Sequence, residues 1–161
     1  MIAATPLSVG DELRPVSDLI TYRRAIMNSA TTLDYFPGHF DPEYAREVGH
    51  PTIFVNTMHL MGFIDRLTMG WCGPTSFIMR RTMKMSVPIY AGDTMVGSGI
   101  VTAVTAVGSG AADGPRVPEG LPADLTTVVE LTVRLDNQHG VMCAQAQLVV
   151  AIAPTSPTPR S

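Results

Sequence analysis

Charge is scarce in this 161-residue chain. Asp, Glu, Lys and Arg together make up 16% of it, against about a quarter in an ordinary globular domain. Hydrophobic residues, at 45%, are not scarce, so the chain can support a core and does not belong to the disordered class. A domain with a normal core and few charges is expected to hide part of its surface in an oligomer, because interface cores are depleted of charge. There is no basic surplus either: 11 Lys and Arg against 14 Asp and Glu leave a net charge of −3. That excludes the electrostatic footprint of a nucleic-acid binder. The only cysteines, Cys72 and Cys143, are too few and too far apart for a disulfide framework or a zinc site. They suit a reducing compartment, and the cytoplasm is the expected location. Long hydrophobic runs are missing as well. The longest uncharged stretch, Thr94 to Ala112, is rich in Gly, Ser and Thr and reads as strand, not as a membrane span. The N-terminus lacks the basic start and apolar run of a signal peptide.

What is present divides into a helical half and a strand half. Residues 1–16 hold one short strand at most. Residues 18–33 carry a weak helical pattern, with Leu19, Ile20, Ala25, Ile26 and Leu33 as apolar points. Residues 34–42, with two prolines and one glycine, are expected to be a structured loop. Asp41-Pro42 has the form of a cap and first turn of a short helix that Gly49 ends. Residues 53–69 are apolar on nearly every side before Asp65 and Arg66, which predicts a buried central helix. The periodicity then changes to two. In 76–89, Phe77, Met79, Met83, Met85, Val87 and Ile89 share one face, with Arg81 as its exception; Ile78, Arg80, Thr82 and Lys84 share the other. Strands are also expected at 94–107, 126–135 and 141–152, with a Gly/Pro-rich connection at 108–124. Helices followed by strands indicate an α+β fold, simplest as one antiparallel sheet around one apolar helix. The expected organisation is a single domain over 1–153 and a disordered tail over 154–161.

The loop places a carboxylate, Asp34, and an imidazole, His39, five residues apart across a Pro-Gly bend. A bent loop can aim both at one point, and this pair is ordinary equipment for moving protons near neutral pH. Asp34 capping a turn and His39 bonded at the surface is the alternative. Asn56 and Thr57 open the central helix, Asn56 as a candidate cap. His59 reads as a hydrogen-bonded core histidine and Asp65 as a surface or capping residue. His50 and His139 read as solvated. The methionines of the helix and first long strand read mostly as core, or as the wall of an adaptable acyl tunnel. Arg80, Arg81 and Lys84 are either a solvated strand face or a site for phosphates. No metal-ligand cluster is visible.

The run DYFPGHFDPEYA, residues 34–45, resembles the hydratase motif of the MaoC-like (R)-specific enoyl-CoA hydratases and dehydratases. The similarity continues through GHPTIFVNTM and DRLTMGWCGP to VPIYAGDT, residues 87–94. It looks closest to actinobacterial forms acting on bulky substrates such as steroid side-chain thioesters. The resemblance implies a hot-dog fold and the addition of water to an α,β-unsaturated thioester, or the reverse dehydration of a 3-hydroxyacyl thioester. It implies that Asp34 and His39 are the catalytic pair. It also implies that Asn56 and Thr57 form the oxyanion or substrate-binding corner, and that Arg80, Arg81 and Lys84 are possible coenzyme A phosphate contacts. Coenzyme A or carrier-protein phosphopantetheine would enter only as part of the substrate, with no other cofactor. The implied partner is a second MaoC-like chain, in a homodimer or heterodimer. Two departures from the family pattern are present: Phe36 stands where Asn is common, and the pair Asn56-Thr57 where His-Gly is usual. Other roles within this resemblance are a dehydratase for carrier-bound polyketides and a non-catalytic subunit completing a partner's tunnel. A thioesterase using Asp65 is a third.

Overall fold

A computed structural model describes residues 7–107, 118–120 and 122–153. Its strands are β1 (Glu12–Leu19), β2 (Phe77–Met85), β3 (Thr94–Ala106), β4 (Thr127–Asp136) and β5 (Met142–Ile152). They form one antiparallel sheet in the order β1-β3-β4-β5-β2. Helices α1 (Tyr22–Thr32), α2 (Pro42–Glu47) and α3 (Thr57–Cys72) all lie between β1 and β2 in the chain. The expected tail, and most of the 108–124 connection, lie outside the described residues.

Strict alternation puts Val129, Leu131, Val133 and Leu135 of β4 on the inner face, where all four are buried. Leu60, Phe63, Ile64, Leu67 and Trp71 of α3 meet them from above in the same core. Burying each such side chain stabilises the fold by about 1.5–3 kcal/mol. Helix and sheet approach closely because β3 carries glycine where the helix crosses. A Cβ on Gly97 would lie 2.5 Å from Cε1 of Phe63 and 3.3 Å from Cδ2 of Leu135. Both neighbours are buried and have nowhere to retreat. Gly97→Ala is therefore expected to destabilise the fold by about 1–3 kcal/mol, through overpacking. Urea unfolding monitored by Trp71 fluorescence measures it; an unchanged midpoint would show that the helix can lift off the sheet freely.

Four expectations need correction. The central helix begins at Thr57, not at residue 53. Ile53 to Val55 is extended and pairs with residues 89–91: Val55 N–H donates to the Ile89 carbonyl at 3.0 Å, and Ala91 N–H to that of Ile53 at 2.9 Å. The β-branched residues at 53 and 55 favour this state. Nor is α3 buried all round. Met58, Gly62, Arg66 and Gly70, spaced by four, form an exposed stripe. Third, β2 carries a bulge between Ile78 and Arg80, which reverses the faces before it. Ile78 joins the main core while Met79 packs with Leu125, Ala151 and Ala153 on the other side. The faces expected from residue 80 onward hold. At the other end of the chain, residues 12–19 form a strand, so α1 starts at Tyr22, capped by Thr21, whose side chain accepts from Arg24 N–H.

Candidate active site

Asp34 follows α1 directly because Leu33 turns the chain in the left-handed region, at φ 55°. Its backbone is then held at both ends: N–H donates to the Ser29 carbonyl at 3.1 Å, and the Ser29 hydroxyl donates to the Asp34 carbonyl. Pro37–His39 forms a single 3-10 turn. Asp41 caps α2 as expected, its Oδ1 accepting from Glu43 N–H at 2.9 Å and Tyr44 N–H at 3.2 Å. Gly38, between them, sits where a Cβ would come within 2.6 Å of the Phe36 ring and 3.0 Å of the Phe54 ring. A side chain there would push apart the aromatic walls that flank His39, whose ring lies 5.4 Å from that of Phe36 and 5.0 Å from that of Phe54, both edge-on.

The structure brings Asp34 and His39 together. Oδ2 of Asp34 is 3.4 Å from Nε2 of His39. Nδ1 of His39 is 2.8 Å from the Phe54 carbonyl. A carbonyl only accepts, so Nδ1 carries a proton and, in the neutral ring, Nε2 presents a lone pair. Two acceptors then face each other at a separation longer than a normal hydrogen bond. The arrangement is complete when a third group donates to both, and a water molecule has the two O–H bonds required. His39 is buried, while the Asp34 side chain is 38% exposed.

His39 and Thr57 line one cavity of about 240 Å³, with Phe54, Leu60, Met85 and Val87 among its apolar walls. Thr57 is the first residue of α3. Among the described residues its N–H has no hydrogen-bond partner, as is usual for a first-turn N–H, and the positive end of the helix dipole lies there. Asn56 lines the same cavity and takes the cap role, one of its two expected readings. Its Oδ1 accepts from His59 N–H at 3.0 Å and from Asn28 Nδ2 at 2.5 Å, and its Nδ2 donates to Thr32 Oγ1 at 2.8 Å. This buried amide caps α3 and ties it to α1, so it positions Thr57.

The expected phosphate contacts do not converge. Arg81 lies on the inner face, bonded to Asp65 and 3.6 Å from Sδ of Met61. Arg80 and Lys84 point outward beside Thr82 and Gln147, away from the His39 cavity. Asp65, engaged by Arg81, stands two turns along α3 from Thr57, about 12 Å at 1.5 Å per residue, outside the lining of the His39 cavity. Sequence reasoning missed the Phe54 carbonyl that fixes the tautomer of His39. The β-branched residues Ile53 and Val55 are the strand signal that points to it. It also missed His50, whose Nδ1 is 3.1 Å from the Tyr90 hydroxyl and whose ring meets that of Phe54 at 4.5 Å, tilted by 51°.

A model of the MaoC-like domain matches residues 6–113, a span that contains Asp34, His39, Asn56 and Thr57. The chain belongs to the MaoC-like family. Over 79 residues it is 35% identical to the 3-oxo-4,17-pregnadiene-20-carboxyl-CoA hydratase beta subunit of Mycobacterium tuberculosis, a match that covers 49% of this chain and 61% of that one. The chain thus spans about three fifths of the curated relative's length. The ChsH1-ChsH2 complex from Mycobacterium tuberculosis superposes with a TM-score of 0.72 at 25% identity, over 90% of this chain and 98% of that one. The (R)-hydratase from A. caviae involved in PHA biosynthesis superposes with a TM-score of 0.74 at 22% identity, over 92% and 99%. Like these MaoC-like neighbours, the chain has the hot-dog fold. No helix among the described residues is long and apolar enough to cross a membrane, and no group of three His, Cys, Asp or Glu residues there is placed to hold a metal ion.

Proposed function

We propose that the chain adds water across the double bond of an α,β-unsaturated acyl thioester, or removes it from a 3-hydroxyacyl thioester. The observation that carries this reading is the pair of facing acceptors, Asp34 Oδ2 and His39 Nε2. A water donating to both has its lone pair free for the β-carbon. As the C–O bond forms, Nε2 takes one water proton, and the electron pair of the double bond moves to the thioester oxygen as an enolate. The Thr57 N–H, at the α3 end, meets that oxygen. The enolate collapses, and His39 returns the same proton to the α-carbon. Asp34 holds the hydroxyl throughout, and the sum is one water added. The one proton that moves does so through His39 while Asp34 orients the water, and coenzyme A or phosphopantetheine enters as part of the substrate.

A cavity of 240 Å³ is below the usual range for a whole ligand, about 300–1,000 Å³. It holds the reacting end, and the acyl chain runs out past Met85 and Val87, both exposed. With the free edge of β2, that surface supports pairing with a second MaoC-like chain, identical or related. Two free, buried cysteines agree with a cytoplasmic setting. The relative's name supports a bulky coenzyme A thioester over a carrier-bound one. A second reading, a subunit that completes a partner's site without doing chemistry, is favoured by one observation, Thr57 where the family has glycine. Purified alone and given an enoyl-CoA, the chain is expected to deplete the conjugated-thioester absorbance. A rate at the buffer background, restored only by adding a second MaoC-like chain whose own Asp/His pair is intact, would favour the second reading.

A further inference from the structure

On the other side of α3, Asp18 of β1, Arg24 and Asn28 of α1, and His59 and Arg66 of α3 converge on a shallow cavity of about 270 Å³. Arg24 Nη1 and Arg66 Nη2 both reach the same oxygen, Asp18 Oδ2, at 3.1 and 2.6 Å. One carboxylate answers two guanidiniums and leaves one positive charge over, on a chain whose net charge is negative. Both guanidiniums are held in place. Arg24 Nη1 also donates to the Leu19 carbonyl at 3.3 Å, and Arg66 lies over the Phe63 ring at 4.9 Å. Their remaining N–H donors have no partner among the described residues. Burial, then Arg24, push the His59 imidazole below the usual histidine range; Arg66 adds to this and Asp18 opposes it. Half-exposed ion pairs stabilise a fold little, so stability does not account for two arginines on one carboxylate. Rigid guanidinium forks with spare donors suit phosphate oxygens.

We propose that this cavity binds a phosphate group. Resting on the hydratase reading, we assign that group to the coenzyme A or phosphopantetheine arm of the substrate. The two cavities share one end of α3. Asn28 lines this one and donates to Asn56, the cap that sets Thr57 in the other. The phosphate role expected of Arg80, Arg81 and Lys84 thus passes to Arg24 and Arg66.

The test is calorimetric titration of the full chain with inorganic phosphate, coenzyme A and phosphate-free pantetheine, for the wild type and for Arg24→Gln, Arg66→Gln and Arg80→Gln. Phosphate and coenzyme A are expected to bind the Arg24 and Arg66 variants roughly tenfold more weakly or worse, with Arg80→Gln within twofold of wild type. Proton NMR is expected to show the His59 titration moving to higher pH when phosphate is added. Where a glutamine variant unfolds, Arg66→Lys keeps the charge without the fork and should bind with intermediate affinity. If phosphate is weakened but coenzyme A is not, the site takes free anions and the assignment to the substrate arm fails. Equal affinities across all variants, no binding of either ligand, or a loss confined to Arg80→Gln would overturn the site itself. Because binding is read without turnover, a chain that binds coenzyme A through Arg24 and Arg66 yet hydrates nothing leaves this inference standing and removes the hydratase one.

Discussion

Replacing His39 by alanine is expected to lower enoyl-thioester hydration by about 10²–10⁴-fold, the usual worth of a positioned general base. The fold should survive: the lost ring touches Phe36 and Phe54 at their edges, and the turn that carries it keeps its backbone bonds, Phe40 N–H to the Pro37 carbonyl and Asp41 N–H to the same oxygen. Asp34→Asn should cost a comparable factor for a different reason. Its Oδ1 can still accept from Phe36 N–H, at 3.4 Å here, so the loop keeps its shape. The new amide, however, turns an N–H toward Nε2 and occupies the lone pair that should receive the proton of water. Steady-state rates with a saturating enoyl-CoA, beside thermal unfolding of both variants, are the measurement. More than a tenth of wild-type activity in either variant would remove that residue from the essential pair.

Thr57→Pro is expected to reduce turnover by about 10²–10³-fold, the cost of losing one oxyanion donor, while leaving the protein folded. Few positions allow so clean a subtraction. Thr57 is the first residue of α3, where proline is favoured because no N–H is needed within the helix. Asn56 before it is already extended, at φ −81° and ψ 169°, the conformation a residue preceding proline prefers. Thr57→Gly keeps the N–H and should change the rate only modestly. Removal of the Thr57 hydroxyl, 3.5 Å from Sδ of Met85, is then separated from removal of the N–H. Wild-type turnover in a folded Thr57→Pro variant would mean that the enolate oxygen is held elsewhere.

Much of this was legible in the linear chain, because some of its information is local. Alternation in 129–135 records a sheet with one buried face. Asp41-Pro42 carries its own cap and first turn. The bend at Pro37-Gly38 allows Asp34 and His39 to meet, but the spacing alone leaves the alternative open, and the pairing is implied by the resemblance. Other features depend on chain segments meeting across the fold. The bulge near Met79 is imposed by pairing with β5, and one inserted residue changes which face every earlier side chain takes; that is why Phe77 and Ile78 exchange the sides that periodicity suggests. Residues 53–55 lie in a helical pattern until residues 89–91 offer them a strand partner, and the long-range hydrogen bonds then outweigh the weak local propensity. Asn56 faces α3 as a cap on local grounds alone, but its other bonds, to Asn28 and Thr32, exist only because α1 packs beside it. Arg24 and Arg66 are separated by 42 positions in the chain and become neighbours through Asp18. Periodicity is blind to such a pair, since it reports which residues share a face of one element and not which elements meet.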